Sequence, residues 1–350
     1  MKNRIKLMIK PAVRGLAAYS PGLVKAAVKV DSNENNYDIP SSVRRQIMKE
    51  IAAMPFNRYP KVPDELKRKL AARLKTQPEL ITLGNGSDEL LYCLLLAFVS
   101  EGDSVIVPAP SFEMYSILAK IAGAKVIEAP LGKEHDLDAE EVIRQAKKNR
   151  AKFVFLAYPN NPTGNCFDRK KILEIIKRSG AIVVCDEAYH EFSGKTFVSE
   201  MKKHENLVVM RTFSKAFSMA GIRLGYMAAS KEITEAVNKV KLPYNINTLT
   251  IKAALAGLKH EKEIQKSVRS IISEREKMRK FFQQKLGSAD SSANFFYFKA
   301  QDPLALKKLF QKRGVSIRIF NNGAAKGFAR ITVGKPAENR LIMKILARGV

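Results

Sequence analysis

Lys215, in Arg-Thr-Phe-Ser-Lys-Ala-Phe (211–217), stands between two segments able to do chemistry with it. Upstream, Val-Val-Cys-Asp-Glu-Ala-Tyr (183–189) is an apolar run ending in a carboxylate, Asp186, and a phenol, Tyr189. Downstream, Gly-Ile-Arg-Leu-Gly-Tyr (221–226) carries Arg223. An acid at the end of a buried strand is costly unless a cation or donor meets it. A partly desolvated amine near positive charge loses its proton more readily and attacks carbonyls. Thr212, Ser214 and Arg223 add hydroxyls and a guanidinium suited to phosphate. Gly-Asn-Gly-Ser-Asp-Glu (84–89) precedes a helical pattern, where close backbone approach and free amides bind phosphate. A plain helix cap with nothing bound accounts for the same letters. Phe112 follows a strand-like run, at the edge where ligands sit in open α/β sheets. Asn161, in Tyr-Pro-Asn-Asn-Pro-Thr-Gly (158–164), sits in turn chemistry after another such run.

These groups need strand ends and turns to hold them, and the hydrophobic pattern supplies both. Short apolar runs at 104–107, 125–128, 153–157, 181–185, 207–210 and 226–229 alternate with helical patterns at 88–99, 115–122, 139–147 and 169–178. That alternation predicts an α/β domain with a largely parallel sheet. After Leu242-Pro243-Tyr244-Asn245 the pattern changes to one long helical stretch over 248–286. Strand patterns at 294–299, 315–319 and 329–333 and a helix over 303–312 then predict a small α+β domain. The expected division is an arm with part of the small domain over 1–40, a large domain over 41–245 and a small domain over 246–350.

With 350 residues, 46% apolar, the chain can bury a substantial core, and its mean hydropathy is −0.18. No apolar stretch approaches the roughly 20 residues of a membrane span. Three cysteines, Cys93, Cys166 and Cys185, are too few and scattered for a disulfide framework or a zinc site. No metal is expected, and a reducing, cytoplasmic setting is. The basic segment before Asp31 lacks the apolar core and cleavage site of a secretory signal. Lys and Arg number 61 against 34 Asp and Glu, a formal charge of +27. Such a charge attracts polyanions. The basic residues are spread along the chain and no nucleic-acid-binding motif accompanies them, so a solvated surface is the reading adopted.

The segments around Lys215, Asp186, Asn161 and Arg223 together resemble the pyridoxal-phosphate aminotransferases of fold type I, nearly end to end. The resemblance implies a large domain with a mostly parallel seven-stranded sheet flanked by helices, plus a small α+β domain. It implies pyridoxal 5′-phosphate joined to Lys215, with Asp186 at the pyridine nitrogen and Asn161 and Tyr189 at the ring oxygen. Phe112 would stack on the ring, and Ser87, Asp88, Thr212, Ser214 and Arg223 would hold the phosphate. Arg58-Tyr59-Pro60 resembles the segment whose tyrosine reaches the cofactor of a second subunit, implying a homodimer with its sites at the interface.

The outer segments are similar to the histidinol-phosphate branch of that family: Ala-Tyr-Ser-Pro-Gly (18–22), Asp-Ser-Asn-Glu-Asn (31–35), Ile317-Arg318 and Ala-Arg-Ile-Thr-Val-Gly (329–334). By that likeness Tyr19, Asn33 and Arg318 would meet the substrate and its phosphate, and Arg330 the carboxylate of glutamate. The partners implied are a small amino donor and a 2-oxo acid. Asn36 stands where the branch has proline. Decarboxylation of an amino-acid phosphate and transamination of aromatic amino acids remain open on the same frame. A cofactor-binding regulator contacting nucleic acid would require a separate binding domain.

Overall fold

A computed structural model describes residues 2–16 and 26–349; Tyr19 lies outside them. The strands are β1 (Val28–Lys29), β2 (Ile81–Asn85), β3 (Ser104–Ala109), β4 (Lys125–Pro130), β5 (Phe153–Ala157), β6 (Ile182–Asp186), β7 (Leu207–Thr212), β8 (Leu224–Ala228), β9 (Phe295–Lys299), β10 (Val315–Ser316), β11 (Arg318–Ile319) and β12 (Phe328–Thr332). Seven of them form one sheet in the order β2-β8-β7-β6-β5-β3-β4. Only β8 runs against the rest. This is the seven-stranded, mostly parallel sheet expected.

Period-two alternation divides the central strands between two apolar layers. Phe153, Phe155 and Ala157 pack with Leu90, Leu94, Leu118 and Val237 on one face. Val154 and Leu156 pack with Ile143, Ala146, Ile172 and Ile176 on the other. The helices supplying those residues are Ser87–Phe98, Glu113–Ile121, Ala139–Lys148, Arg169–Arg178 and Lys231–Val240. Asp138 and Asp168 cap two of them, accepting from the amides of Glu141 and Lys170.

The long helical stretch is two helices, Thr248–Lys259 and Glu261–Leu286, broken at His260. The packing partner changes within the second helix, after Ile264. Ala254, Ala256 and Ile264 share a cluster with Leu66, Leu70 and Phe213 beside the large sheet. Val268, Ile271, Met278 and Phe282 pack instead on Phe296, Phe298 and Ile331 of the small domain. The single strand expected over 315–319 is also divided. β10 pairs parallel with β1, and β11 pairs antiparallel with β12, so Ile317 marks a change of sheet. Asn36 donates to Glu338 Oε2 at 2.7 Å, tying the start of the chain to the last helix, Pro336–Gly349; proline has no such donor.

One buried ion pair fixes the carboxyl ends of β6 and β7. Arg211 gives two hydrogen bonds to Glu187 Oε2 at 2.8 and 3.0 Å, and the side chains are 5% and 0% exposed. The remaining carboxylate oxygen accepts from the Phe197 amide at 2.6 Å. Glu187→Ala leaves a guanidinium buried without its anion and should cost about 3–5 kcal/mol. Urea unfolding would show the lower midpoint. Replacing both residues by leucine should recover a large part of it.

Candidate active site

The carboxyl ends of β5, β6 and β7 and the small-domain strands β11 and β12 enclose a cavity of about 450 Å³. Of the residues singled out in the sequence, Asn33, Ser87, Asp88, Phe112, Asn161, Asp186, Tyr189, Thr212, Ser214, Lys215, Arg223, Arg318 and Arg330 line it. Tyr59 does not. It is 78% exposed and stacks on Tyr244 with ring centroids 4.5 Å apart.

Asp186 is the last residue of β6, level with Ala157 on β5, and its carboxylate points out of the sheet into the cavity wall. Oδ2 accepts from the Tyr115 hydroxyl at 2.7 Å and Oδ1 from the Ala188 amide at 3.1 Å. It therefore caps the turn as well as facing the cavity. Burial pushes the carboxyl up to about 6 against the hydrogen bond from Tyr115. Tyr115 was not singled out in the sequence. Its place in the first turn of helix Glu113–Ile121, just after Phe112 at the cap, is the available signal. The two rings meet edge to face at 5.5 Å.

Lys215 Nζ donates to the Ser32 carbonyl at 2.9 Å and lies 5.9 Å from the Tyr189 ring centroid. Burial lowers its ammonium to about 8, and the Arg330 guanidinium adds to that. Asn33 donates to the Tyr189 hydroxyl at 2.9 Å and is pinned by Thr332 through its amide and side chain. Arg330 gives one nitrogen to Asn161 Oδ1 at 2.5 Å and another to the Asp31 carbonyl at 2.7 Å. Thus residues 31, 32 and 33, absent from any large-sheet strand, each hold one functional group.

At the opposite end, helix Ser87–Phe98 opens toward the cavity after Gly86, whose φ is +78°. A Cβ on Gly86 would lie 2.3 Å from Arg223 Nη2, and one on Gly225 would lie 2.3 Å from the Ser87 amide nitrogen. Glycine is what lets guanidinium, strand and helix terminus converge. Arg223 reaches the Ser214 hydroxyl at 3.4 Å and Asp88 at 3.5 Å. Thr212 donates to the Ser214 hydroxyl at 3.0 Å. Amides at a helix terminus, two hydroxyls and a guanidinium form an anion cradle.

The small domain closes the other side with Arg318 and Arg330, which are register partners across β11 and β12. Directly opposed residues of an antiparallel pair share one face of the sheet. Like charges so placed repel, and the molecule keeps them on the face lining the cavity.

A model of aminotransferase class I and II matches residues 25–346. The chain belongs to that aminotransferase family. It is 39% identical over 318 residues to the histidinol-phosphate aminotransferase of Pyrococcus furiosus, covering 91% of this chain and 90% of that one. The crystal structure of the histidinol-phosphate aminotransferase from Clostridium acetobutylicum superposes with a TM-score of 0.83 at 27% identity, covering 91% of this chain and 98% of that one. That from Sinorhizobium meliloti, in complex with pyridoxal-5'-phosphate, gives a TM-score of 0.87 over 97% of each chain at 22% identity, a likeness of fold.

The cofactor of these aminotransferases is pyridoxal 5′-phosphate, and the cavity fits it. The cradle around Gly86 and Arg223 suits a phosphate, and the carboxylate of Asp186 faces the same cavity as the amine of Lys215. When bound, the cofactor supplies an aldehyde for amines and an electron-withdrawing ring.

The raised Asp186 carboxyl makes a stability prediction for cofactor-free protein. With the folded value near 6 and the ordinary value 3.8, its favourable contribution is full below 3.8 and lost as pH rises through 6. Asp186→Asn does not titrate. It should therefore become progressively more stable than the parent protein between pH 4 and 6 and hold that advantage at pH 8, by up to about 3 kcal/mol. Thermal unfolding of the two cofactor-free proteins across this range measures the difference.

Proposed function

We propose that this aminotransferase transfers the amino group of L-histidinol phosphate to 2-oxoglutarate, giving imidazole acetol phosphate and glutamate, with pyridoxal 5′-phosphate as cofactor. The observation that carries the reading is the pair Arg318 and Arg330, register partners on the wall of the cavity that holds Lys215. The two half-reactions present different anions. Histidinol phosphate has a phosphate and no carboxylate; glutamate has two carboxylates and no phosphate. Relatives at 35–39% identity carrying the histidinol-phosphate name support the same substrate.

In this reading Lys215 would anchor the cofactor aldehyde; displaced from it by the substrate's amine, the freed Lys215 amine, whose neutral form burial favours, would take and return the proton at the amine-bearing carbon. Asp186, positioned by Tyr115 and the Ala188 amide, meets the ring nitrogen and keeps it protonated. Phe112 faces the ring, and Asn161 and Tyr189 its oxygen. Ser87, Asp88, Thr212, Ser214 and Arg223 hold the cofactor phosphate. Arg330 takes the glutamate α-carboxylate. Arg318, with Tyr19, takes the substrate phosphate, and Asn33 orders the wall between them.

A homodimer completes the reading. Tyr59 and Tyr244 stack on the surface, and Phe56, Val62 and Leu242 are also more than 70% exposed. A second copy would cover this apolar area, with Tyr59 reaching the partner's cofactor phosphate. A cytoplasmic location belongs to the same reading, supported by three free cysteines.

The half-reactions are separable by stopped-flow absorbance of the cofactor. Arg318→Ala should cost about ten- to a hundredfold in kcat/KM for histidinol phosphate, the equivalent of one charge-assisted hydrogen bond, and less for glutamate. Arg330→Ala should fall hardest on glutamate. Equal losses in both half-reactions for Arg318→Ala would remove the dedicated phosphate site. The assembly has its own check: Tyr59→Ala should weaken cofactor retention in a dimer that sedimentation still detects. An active monomer with full cofactor content would return Tyr59 to local packing.

A further inference from the structure

The roles above leave two charged residues on the cavity wall unassigned. Lys307 lies on helix Pro303–Gln311, one turn before Gln311, and both line the cavity beside Arg318. Residues four apart share a helix face. Besides Arg330, the small domain therefore presents two cations, Arg318 and Lys307, and an amide to the cavity. Facing them is Glu113, the first residue of helix Glu113–Ile121 in the large domain. Its Oε2 lies 3.5 Å from Arg318 Nη2, and the side chains are 50% and 31% exposed. A contact this long between partly exposed groups is loose, and a competing anion can displace it. Among the described residues no carboxylate lies within 4.0 Å of Lys307, so its charge is directed at no acid.

We propose that Lys307, assisted by Gln311, is the second cation of a subsite that selects a phosphate monoester over a carboxylate, and that Glu113 holds Arg318 until the phosphate displaces it. The inference rests on the substrate reading above and adds its basis of selection. A phosphate monoester loses its second proton at about pH 6 and then carries two charges where a carboxylate carries one. Interaction with each fixed charge scales with the charge of the incoming group. Arg318 and Glu113 alone cancel, so a doubly charged group gains nothing over a singly charged one. Lys307 brings this group of three to one net positive charge, and the dianion then gains from it twice what the carboxylate gains. Once Glu113 swings away, two cations face two negative charges.

The test uses holoenzyme, in which the cofactor fills its own phosphate cradle. Inorganic phosphate is titrated by calorimetry, and kcat and KM are measured for histidinol phosphate and for glutamate. Lys307→Met should weaken phosphate binding about tenfold and lower the ratio of kcat/KM for histidinol phosphate over glutamate by a similar factor, through KM rather than kcat. Lys307→Arg should restore most of both. Glu113→Gln should tighten phosphate several-fold. If Lys307→Met harms both substrates equally, or leaves phosphate binding unchanged, the subsite is refuted. Unchanged or weaker phosphate binding in Glu113→Gln refutes the displacement. Should the parent enzyme fail to turn over histidinol phosphate while binding inorganic phosphate through Lys307, the substrate reading falls and the subsite stands.

Discussion

Much of this architecture follows from keeping a carboxylate out of water at the end of a central strand. Asp186 is buried where three parallel strands end, and its pKa rises accordingly. A single hydroxyl and a single amide partly offset the desolvation. Both come from elements fixed by packing. Tyr115 is stacked on Phe155 of the neighbouring strand, and Ala188 follows Glu187, whose carboxylate is locked to Arg211. The ion pair below the cavity and the aromatic stack beside it keep one costly group in one orientation.

The small domain has the opposite electrostatic task. It brings guanidinium groups together on one sheet face, where repulsion would drive them apart without anions. The two are treated differently. Arg330 is buried between the rings of Phe295 and Phe320, at 5.4 and 5.8 Å, and bonded on two sides. Arg318 is partly exposed, lies over the Phe320 ring at 5.5 Å and has one loose ion-pair partner, Glu113. In the proposed reading the fixed guanidinium would meet the carboxylate of glutamate and the less constrained one the phosphate of the other substrate.

The large sheet was legible because its central strands are short apolar runs, and segments of helical period separate them. Strand Phe153–Ala157 and helix Arg169–Arg178 fall on the predicted residues. β2 was not legible, since Ile-Thr-Leu-Gly-Asn carries its glycine inside the strand, where glycine usually signals a turn. The break at His260 is marked in the sequence only by Gly257, three residues earlier inside the helix, and the exchange of packing partner follows between Ile264 and Val268. At the site, motif residues such as Lys215 and Asn161 stood out by their local setting. Tyr115, Glu113 and Lys307 did not, because what makes them functional is the cavity they face rather than the residues beside them in sequence.

The segment at 31–33 ties the site to both ends of the polypeptide. Asp31 meets Arg330 and Asn33 meets Thr332, contacts spanning 299 positions. The loop between such partners is nearly the whole protein, although the entropy of closing it grows only slowly with length. During synthesis the large sheet has all its strands once residue 228 has emerged. The amino-terminal segment must then wait for about a hundred further residues before its small-domain partners, Arg330 and Thr332, exist. No shortened nascent chain can carry a complete site, however well its sheet has folded. A complete site in this protein is thus reached only when residues 31–33 meet residues 330–332.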